Sequence, residues 1–386
     1  MKRLLLLLLL ATSGCISNNT VIEQPAEPDP IPDVSPFEFS LPGLARMFAE
    51  LPIDARHLQE VFDAVGSSTG NGYDEEYTMK CLMNTPGAGV GEHGKGTRAD
   101  NYSNPLRDLI RDYYGSKAPT RATVDEMMDR LAESDYQLYW PYSENWDGET
   151  FPIITYDPGY GAESGYGYEI TAGPGGERIV NQVYVDEAVA KKRPVWVLNS
   201  NSDASFTPLE MFVKQHLSGS TAPGPAPSSR PRRLMLKSLT MLRNYDSWFG
   251  GASEFWVKCG SVDGFSASTE AELKQFSPSV TDFIVVVQRR YVGKELPFEA
   301  ILVSDFSNQL DKLAFLITED DGGTRTSWKS EVSVKIASKS YGFTIDIPYN
   351  EKDDIVWRGP LSARYFEEED VVTGRFGDVI VSFELE

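Results

Sequence analysis

Between residues 41 and 131 apolar positions recur every three or four places, the period of a helix. From residue 136 onward they alternate or run together, as strands do. Residues 41–65 predict two short helices, with Pro52 restarting the second. Leu58, Val61, Phe62 and Val65 line one apolar face. Residues 67–72 read as a turn-rich break, 77–84 fit helix and strand equally, and 85–97 read as a Gly-rich loop. A helix over 105–114 opens on Pro105, which lacks an N–H that a first-turn residue would leave unpaired. Another starts at Thr123, where Glu126 completes a capping-box pattern and Met127, Met128 and Leu131 supply the apolar face. The runs YQLYW (136–140), PIITY (152–156), YEIT (168–171), RIVNQVYV (178–185) and RPVWVLN (193–199) are aromatic or β-branched and bounded by turn residues, which predicts strands.

Residues 218–232, SGSTAPGPAPSSRPR, hold no large apolar side chain and have no means of burying themselves. Beyond them LMLKSLTML, SEFWVKC, DFIVVVQRRYV, AILVSDF, LAFLITED, EVSVKIA, FTIDI and DVIVSFELE all read as strands. About eight strands in about 150 residues, several with one apolar face, predict a β-sandwich. The expected fold is an α+β domain over 37–217, a linker over 218–232 and an all-β sandwich over 233–386.

Residues 1–15 follow neither pattern. Lys2 and Arg3 precede a leucine run over 4–10; Ala11, Thr12, Ser13, Gly14 and Cys15 follow. A basic head, a short apolar core and a small-residue exit form an export signal, expected over 1–14. A membrane-spanning helix needs at least ~17 apolar residues, more than this core holds. Thr12-Ser13-Gly14-Cys15 resembles the lipobox of bacterial lipoproteins. The resemblance implies that Cys15 is lipidated, with palmitate among its acyl chains, and becomes the mature N-terminus. Each buried methylene would contribute ~0.8 kcal/mol to attachment. Ile16 stands where Asp would favour the inner membrane, so the resemblance implies the outer membrane. The run EQPAEPDPIPDVSP is too proline-rich to build a core, and residues 15–36 are expected to be a semi-extended, acidic tether.

With 386 residues, 41% of them apolar, the chain has volume for two cores. Its 36 basic and 57 acidic residues leave a net charge of −21. That excess argues against nucleic acid, whose phosphates need a basic face, and against electrostatic adhesion to anionic lipid. It suits cations. Cys81 and Cys259 fall in different expected domains. They form either an interdomain staple in an oxidising envelope or two separate thiols packed as small hydrophobes. His57, His93 and His216 are scattered, and no histidine or cysteine pair has zinc-ligand spacing.

Acids gather at strand ends of the expected sandwich: Asp246; Glu319, Asp320 and Asp321; Glu351, Asp353 and Asp354. Carboxylates from separate loops at one end of a sandwich make an all-oxygen site suited to Ca²⁺. On an extended backbone Glu319 and Asp321 point to one side. The expected metal ligands are Asp246, Glu319, Asp321, Asp353 and Asp354. The succession of strands and acidic loops resembles C2-type sandwiches, as DDIVWRG resembles the Asp-Asp region after their last calcium loop. The resemblance implies calcium as the cofactor and a C2-like fold, with an immunoglobulin-like sandwich as the other reading. The competing account of both acidic groups is a turn at Asp321-Gly322 and a solvated loop at NEKDD.

Two further stretches bear on chemistry. GVGEHGKGT (89–97) lacks the Ser or Thr that should follow the lysine of a P-loop, and no long helix can start after it. In residues 136–152, Tyr139, Trp140 and Trp146 are candidates for stacking on a ligand, and Glu144, Asp147 and Glu149 for cleaving a glycan or peptide. The same aromatics also suit a core whose polar tips tie down loops. Without an assembled catalytic constellation, the function expected is a non-catalytic binding or interaction role at the cell envelope. Its partner would be a protein or a glycan, and it would reach the membrane through its lipid anchor. The alternative is a secreted hydrolase using the acids of 139–149.

Overall fold

The computed structural model describes residues 28–84, 105–117, 120–200 and 231–386. The expected export signal, Cys15, the start of the tether, the Gly-rich run with His93, and the linker up to residue 230 lie outside the described residues.

The N-terminal part begins with α1 (Leu41–Glu50), capped by Ser40, whose side chain accepts from the Gly43 N–H. Asp54 caps α2 (Ala55–Gly70), and His57 closes the box by accepting from the Asp54 N–H through Nδ1. His57 is thus a buried structural residue. The helix runs through residues 67–70, where the sequence predicts a break, because a Ser-Ser-Thr run can continue a helix whose other face is already packed. Residues that fit helix and strand equally divide into β1 (Glu76–Thr78) and the short α3 (Met79–Met83). Next come α4 (Pro105–Lys117) and α5 (Arg121–Glu133). The α5 cap is Thr120, which accepts from the Thr123 N–H, so Thr123 lies inside the helix rather than at its start.

The strands β2 (Tyr136–Tyr139), β3 (Ile153–Tyr156), β4 (Ser164–Ala172), β5 (Arg178–Asp186) and, after a short helix α6 (Glu187–Ala190), β6 (Val195–Ser200) join β1 in one six-stranded sheet. Its order is β1-β2-β6-β3-β4-β5, antiparallel except where β3 meets β6. β6 is apolar at consecutive positions because both faces of the sheet are covered. Trp196 and Leu198 face the helices, together with Phe48 of α1 and Trp140; Val195 and Val197 belong to a second cluster on the other face. Residues 31–36, expected to be tether, lie against this part. Ile31 is buried, and Arg46 of α1 holds Asp33 at 2.5 Å and the Val34 carbonyl at 2.7 Å.

The C-terminal part is two antiparallel sheets packed face to face, a β-sandwich. The first contains β7 (Leu234–Met241), β10 (Glu295–Val303), β15 (Val371–Phe376) and β16 (Val379–Leu385), ordered β10-β7-β16-β15. The second contains β8 (Ser253–Ser261), β9 (Ser279–Val287), β11 (Leu310–Glu319), β12 (Arg325–Ile336), β13 (Lys339–Asn350) and β14 (Asp354–Ser362), ordered β13-β12-β11-β8-β9, with β14 also paired to β11. Leu236, Phe255, Val257, Phe315, Ile317, Val381 and Phe383 are among the residues that fill the space between. Two strands exceed the expectation. Residues 354–362, absent from the strand runs read in the sequence, are β14, and the VVTGRF run is β15. Cys81 and Cys259 are both free, and Cys259 is sealed in the sandwich core. The staple is not formed, and the Cys259 thiol packs as an apolar group.

Candidate functional site

The two parts meet through the connection between β7 and β8. Trp248 and Phe249, fully buried with ring centroids 3.9 Å apart, sit with Tyr139, Ile153, Val185, Val195 and Val197, and with Ala190 of α6, on the face of the six-stranded sheet away from the other helices. Removing two such rings from water stabilises the joint by about 3–6 kcal/mol. Polar contacts fix the register. Trp248 Nε1 donates to the Glu163 carbonyl at 2.9 Å, and Asn199 Nδ2 donates to the carbonyls of Phe249 and Gly250, each at 2.9 Å. The Ala252 N–H donates to Asp74 Oδ2 at 2.9 Å. Two glycines permit the approach. A Cβ on Gly165 would lie 3.2 Å from the Phe249 ring, and one on Gly251 (φ +126°) would lie 2.6 Å from Asp74 Oδ2.

Charge pairs surround this wedge. Arg289 Nε reaches Glu187 Oε1 at 3.1 Å while its Nη1 donates to the Asp246 carbonyl at 2.9 Å. Arg290 Nη1 spans Glu144 Oε2 at 2.5 Å and Glu75 Oε1 at 3.2 Å. Burial, then the neighbouring Asp74 carboxylate, pushes the Glu75 carboxyl well above its ordinary range.

At the sandwich side of the same connection lies an acidic cluster. One carboxylate oxygen each from Asp246, Glu254 and Glu319 fall within 4.8 Å of one another. Their positions follow from the strands. Phe315, Ile317 and Glu319 occupy alternate places on β11, so Glu319 ends the row that faces the core and is 1% exposed. Glu254 is the second residue of β8, and Asp246 comes from the loop before it. Glu319 Oε1 and Asp246 Oδ2 are both buried and without a hydrogen-bond partner. Burial, reinforced by the Asp246 charge, drives the Glu319 carboxyl far above the carboxylate range; burial raises Asp246 as well. Anionic oxygens held together out of water favour either a shared proton or a hard cation, for which three carboxylates are a fitting first ligand set.

The expected metal residues therefore divide. Asp246 and Glu319 come together. Asp321 lies close enough for its charge to raise both of them, and is itself raised by burial and then by Asp354. Asp354 starts β14 directly across from Glu319. Asp353 does not join them. Its Oδ2 is taken up by the Asn350 N–H at 2.9 Å and the Thr318 hydroxyl at 3.4 Å, beside Asp320 and away from the row Glu319 continues. Glu254 is absent from the expected set, since a single glutamate among strand residues carries no sequence signal of convergence. The Trp248-Phe249 wedge is absent too, although two adjacent aromatics before Gly250-Gly251 in a turn are a legible sign of a docking loop.

The aromatic stretch is built differently from the expected ligand site. Tyr139 and Trp140 are 1% and 0% exposed, so neither offers a face for stacking. Trp140 packs edge-on against Trp146, Trp196 and Phe62 at 5.3, 5.8 and 6.0 Å. Trp146 is partly buried and donates from Nε1 to the Thr150 carbonyl at 2.9 Å. Asp147 accepts from the N–H groups of Glu149 and Thr150 and from the Thr150 hydroxyl, closing its own loop. Glu144 is paired with Arg290, and Glu149 is exposed. These acids do not converge on a cleft.

Among the described residues no helix is long and apolar enough to cross a membrane. No protein-family model, curated protein or solved structure matches the chain.

Proposed function

We propose that the chain is an exported bacterial envelope protein, held at the outer membrane by a lipidated Cys15, with a body that binds a protein or glycan partner rather than transforming it. One observation carries this reading: Lys2-Arg3, the leucine run over 4–10 and Ser13-Gly14-Cys15 follow one another in the order an acylated export signal requires. The tether agrees with it. Its far end is tied to α1 through Asp33 and Val34, so the N-terminal part would stand nearest the membrane. Binding in place of hydrolysis is supported by the use of the aromatic and acidic side chains of 139–149 as core, loop closure and ion pairing. The finer kinship of the sandwich belongs to the same proposal. Acids gathered at one end favour a C2-like over an immunoglobulin-like arrangement.

Mass spectrometry of the mature N-terminus tests the reading. The expected species begins at Cys15 and carries acyl chains, and Cys15→Ala moves the protein out of the membrane fraction. A mature chain that retains the leucine run, or an unmodified Cys15, contradicts it.

A further inference from the structure

We propose that Asp246, Glu254 and Glu319 form a binding site for one hard divalent cation of the calcium class, and that the ion holds the loop that bolts the two parts of the chain together. Acidic residues at a surface are ordinary in a chain of charge −21. What sets these apart is Glu319. It is 1% exposed, it sits at the end of a core-facing row, its Oε1 has no hydrogen-bond partner, and one of its carboxylate oxygens lies within 4.8 Å of one from each of the other two residues. A buried carboxyl oxygen without a hydrogen-bond partner is costly, and native structures leave few of them. Asp246 adds a second such atom, Oδ2. Arg289, whose Nη1 donates to the Asp246 carbonyl and whose Nε donates to Glu187, directs these two hydrogen bonds away from the three carboxylates.

The chemistry of the donor set selects the ion. All three donors are carboxylates, which suits calcium or magnesium better than zinc or copper, whose sites draw on nitrogen and sulfur. Three side chains from separate segments, each able to bind through one or two oxygens, provide the variable coordination number that calcium accepts and magnesium resists.

The position of the ligands gives the ion its consequence. Asp246 stands two residues before Trp248, and Glu254 stands two residues after Ala252, whose N–H is held by Asp74. Both ends of the segment carrying the Trp248-Phe249 wedge would thus be fastened to one ion, and that ion to Glu319 on the central strand β11. An ion bound more tightly to the docked loop than to the free loop shifts the loop toward docking. By reciprocity, docking tightens the ion.

The test uses the full chain, extracted in mild detergent and stripped with chelator. It is titrated with Ca²⁺ and with Mg²⁺ by calorimetry, and followed by hydrogen exchange over residues 245–254. The expected result is one Ca²⁺ per chain bound at least tenfold more tightly than Mg²⁺, with exchange in 245–254 slowed at least tenfold. Glu319→Gln keeps the shape of the protonated side chain and should fold as the native chain does, yet bind Ca²⁺ at least tenfold more weakly; Asp246→Asn is the second variant. An absence of Ca²⁺ binding, or binding unchanged in both variants, overturns the site and leaves a proton-sharing set of acids. Binding lost in the variants with exchange over 245–254 unaffected by Ca²⁺ in the native chain upholds the site and overturns its role as a bolt.

Discussion

Glu60 in the helical part and Glu319 in the sandwich are both carboxylates withdrawn from water, at 3% and 1% exposure. Their surroundings differ in kind. Glu60 is satisfied at both oxygens. The Tyr77 hydroxyl donates to one at 2.9 Å, and the Leu106 N–H, in the first turn of α4, donates to the other at 2.7 Å. Glu319 faces other carboxylates and keeps Oε1 without a donor. Burial raises both carboxyls, Glu60 to about 7 against the two hydrogen bonds that lower it. A raised pKa therefore does not separate a structural acid from a ligand. What separates these two is the set of partners: both oxygens of Glu60 accept a hydrogen bond, and Glu319 Oε1 accepts none.

The largest expected effect tests whether the sandwich end is joined to the helical part as firmly as the contacts imply. Trp248→Ala empties a fully buried site and should cost about 3–5 kcal/mol in denaturant unfolding. A loss below about 1 kcal/mol would mean that the wedge does not hold the joint. Arg289→Met removes the partner of Glu187 across the same seam and should cost about 2 kcal/mol, less than a fully buried pair because Glu187 keeps 28% exposure. Burial raises Glu187, but the hydrogen bonds of Tyr142 and Lys191 and the charge of Arg289 outweigh it and bring the carboxyl to about 2. That contribution is present above pH ~4.5 and is lost as pH falls toward 2. The variant should show a shallower acid limb, and an unaltered limb would count against the pair.

Glu60→Gln sharpens the comparison from the other side. A carboxyl raised from 4.5 to about 7 stabilises the folded state most when protonated, so its contribution fades as pH rises from 4.5 through 7. The substituted amide can still accept from the Leu106 N–H and can donate to the Tyr77 oxygen. The variant should therefore gain about 1–2 kcal/mol over the native chain at pH 8 and lose the slope. Parallel stability curves would show that Glu60 does not titrate as its burial implies. The smallest effect concerns the aromatic stretch. Asp147→Ala removes an exposed loop closure and should lower the unfolding midpoint by less than any variant above. A glycan whose binding vanished in that variant while stability held would restore the catalytic or ligand-binding reading of 139–149.

Much of the architecture is legible in the sequence because period and punctuation speak locally. The RPVWVLN run announces a strand, and the Leu58, Val61 and Val65 spacing announces the buried side of α2. Boundaries shift where capping depends on a residue outside the expected pattern, as with Thr120 ahead of Thr123. In the acidic group Glu319 ends β11, and Asp320 and Asp321 lie in the turn beyond it, where Asp320 accepts from Trp256 Nε1 and Asn350 Nδ2. Asp353 departs from the expected set because the turn ahead of β14 directs its carboxylate toward Asn350 and Thr318. Glu254 stays hidden in the sequence, since its place beside Asp246 and Glu319 depends on which strand ends and loops the fold brings side by side. Tyr139 and Trp140 look like ligand-stacking residues because core and binding site draw on the same residue types; only their burial distinguishes the two.

The most direct test of the difference between the two carboxylates is thermal unfolding of the full chain and of Glu319→Gln, each after chelation and again in about 1 mM Ca²⁺, the range of extracellular calcium modules. The account predicts that the native chain gains several degrees with calcium while the variant moves by less than about 1 °C. An equal gain in both, or no gain in the native chain, would contradict it.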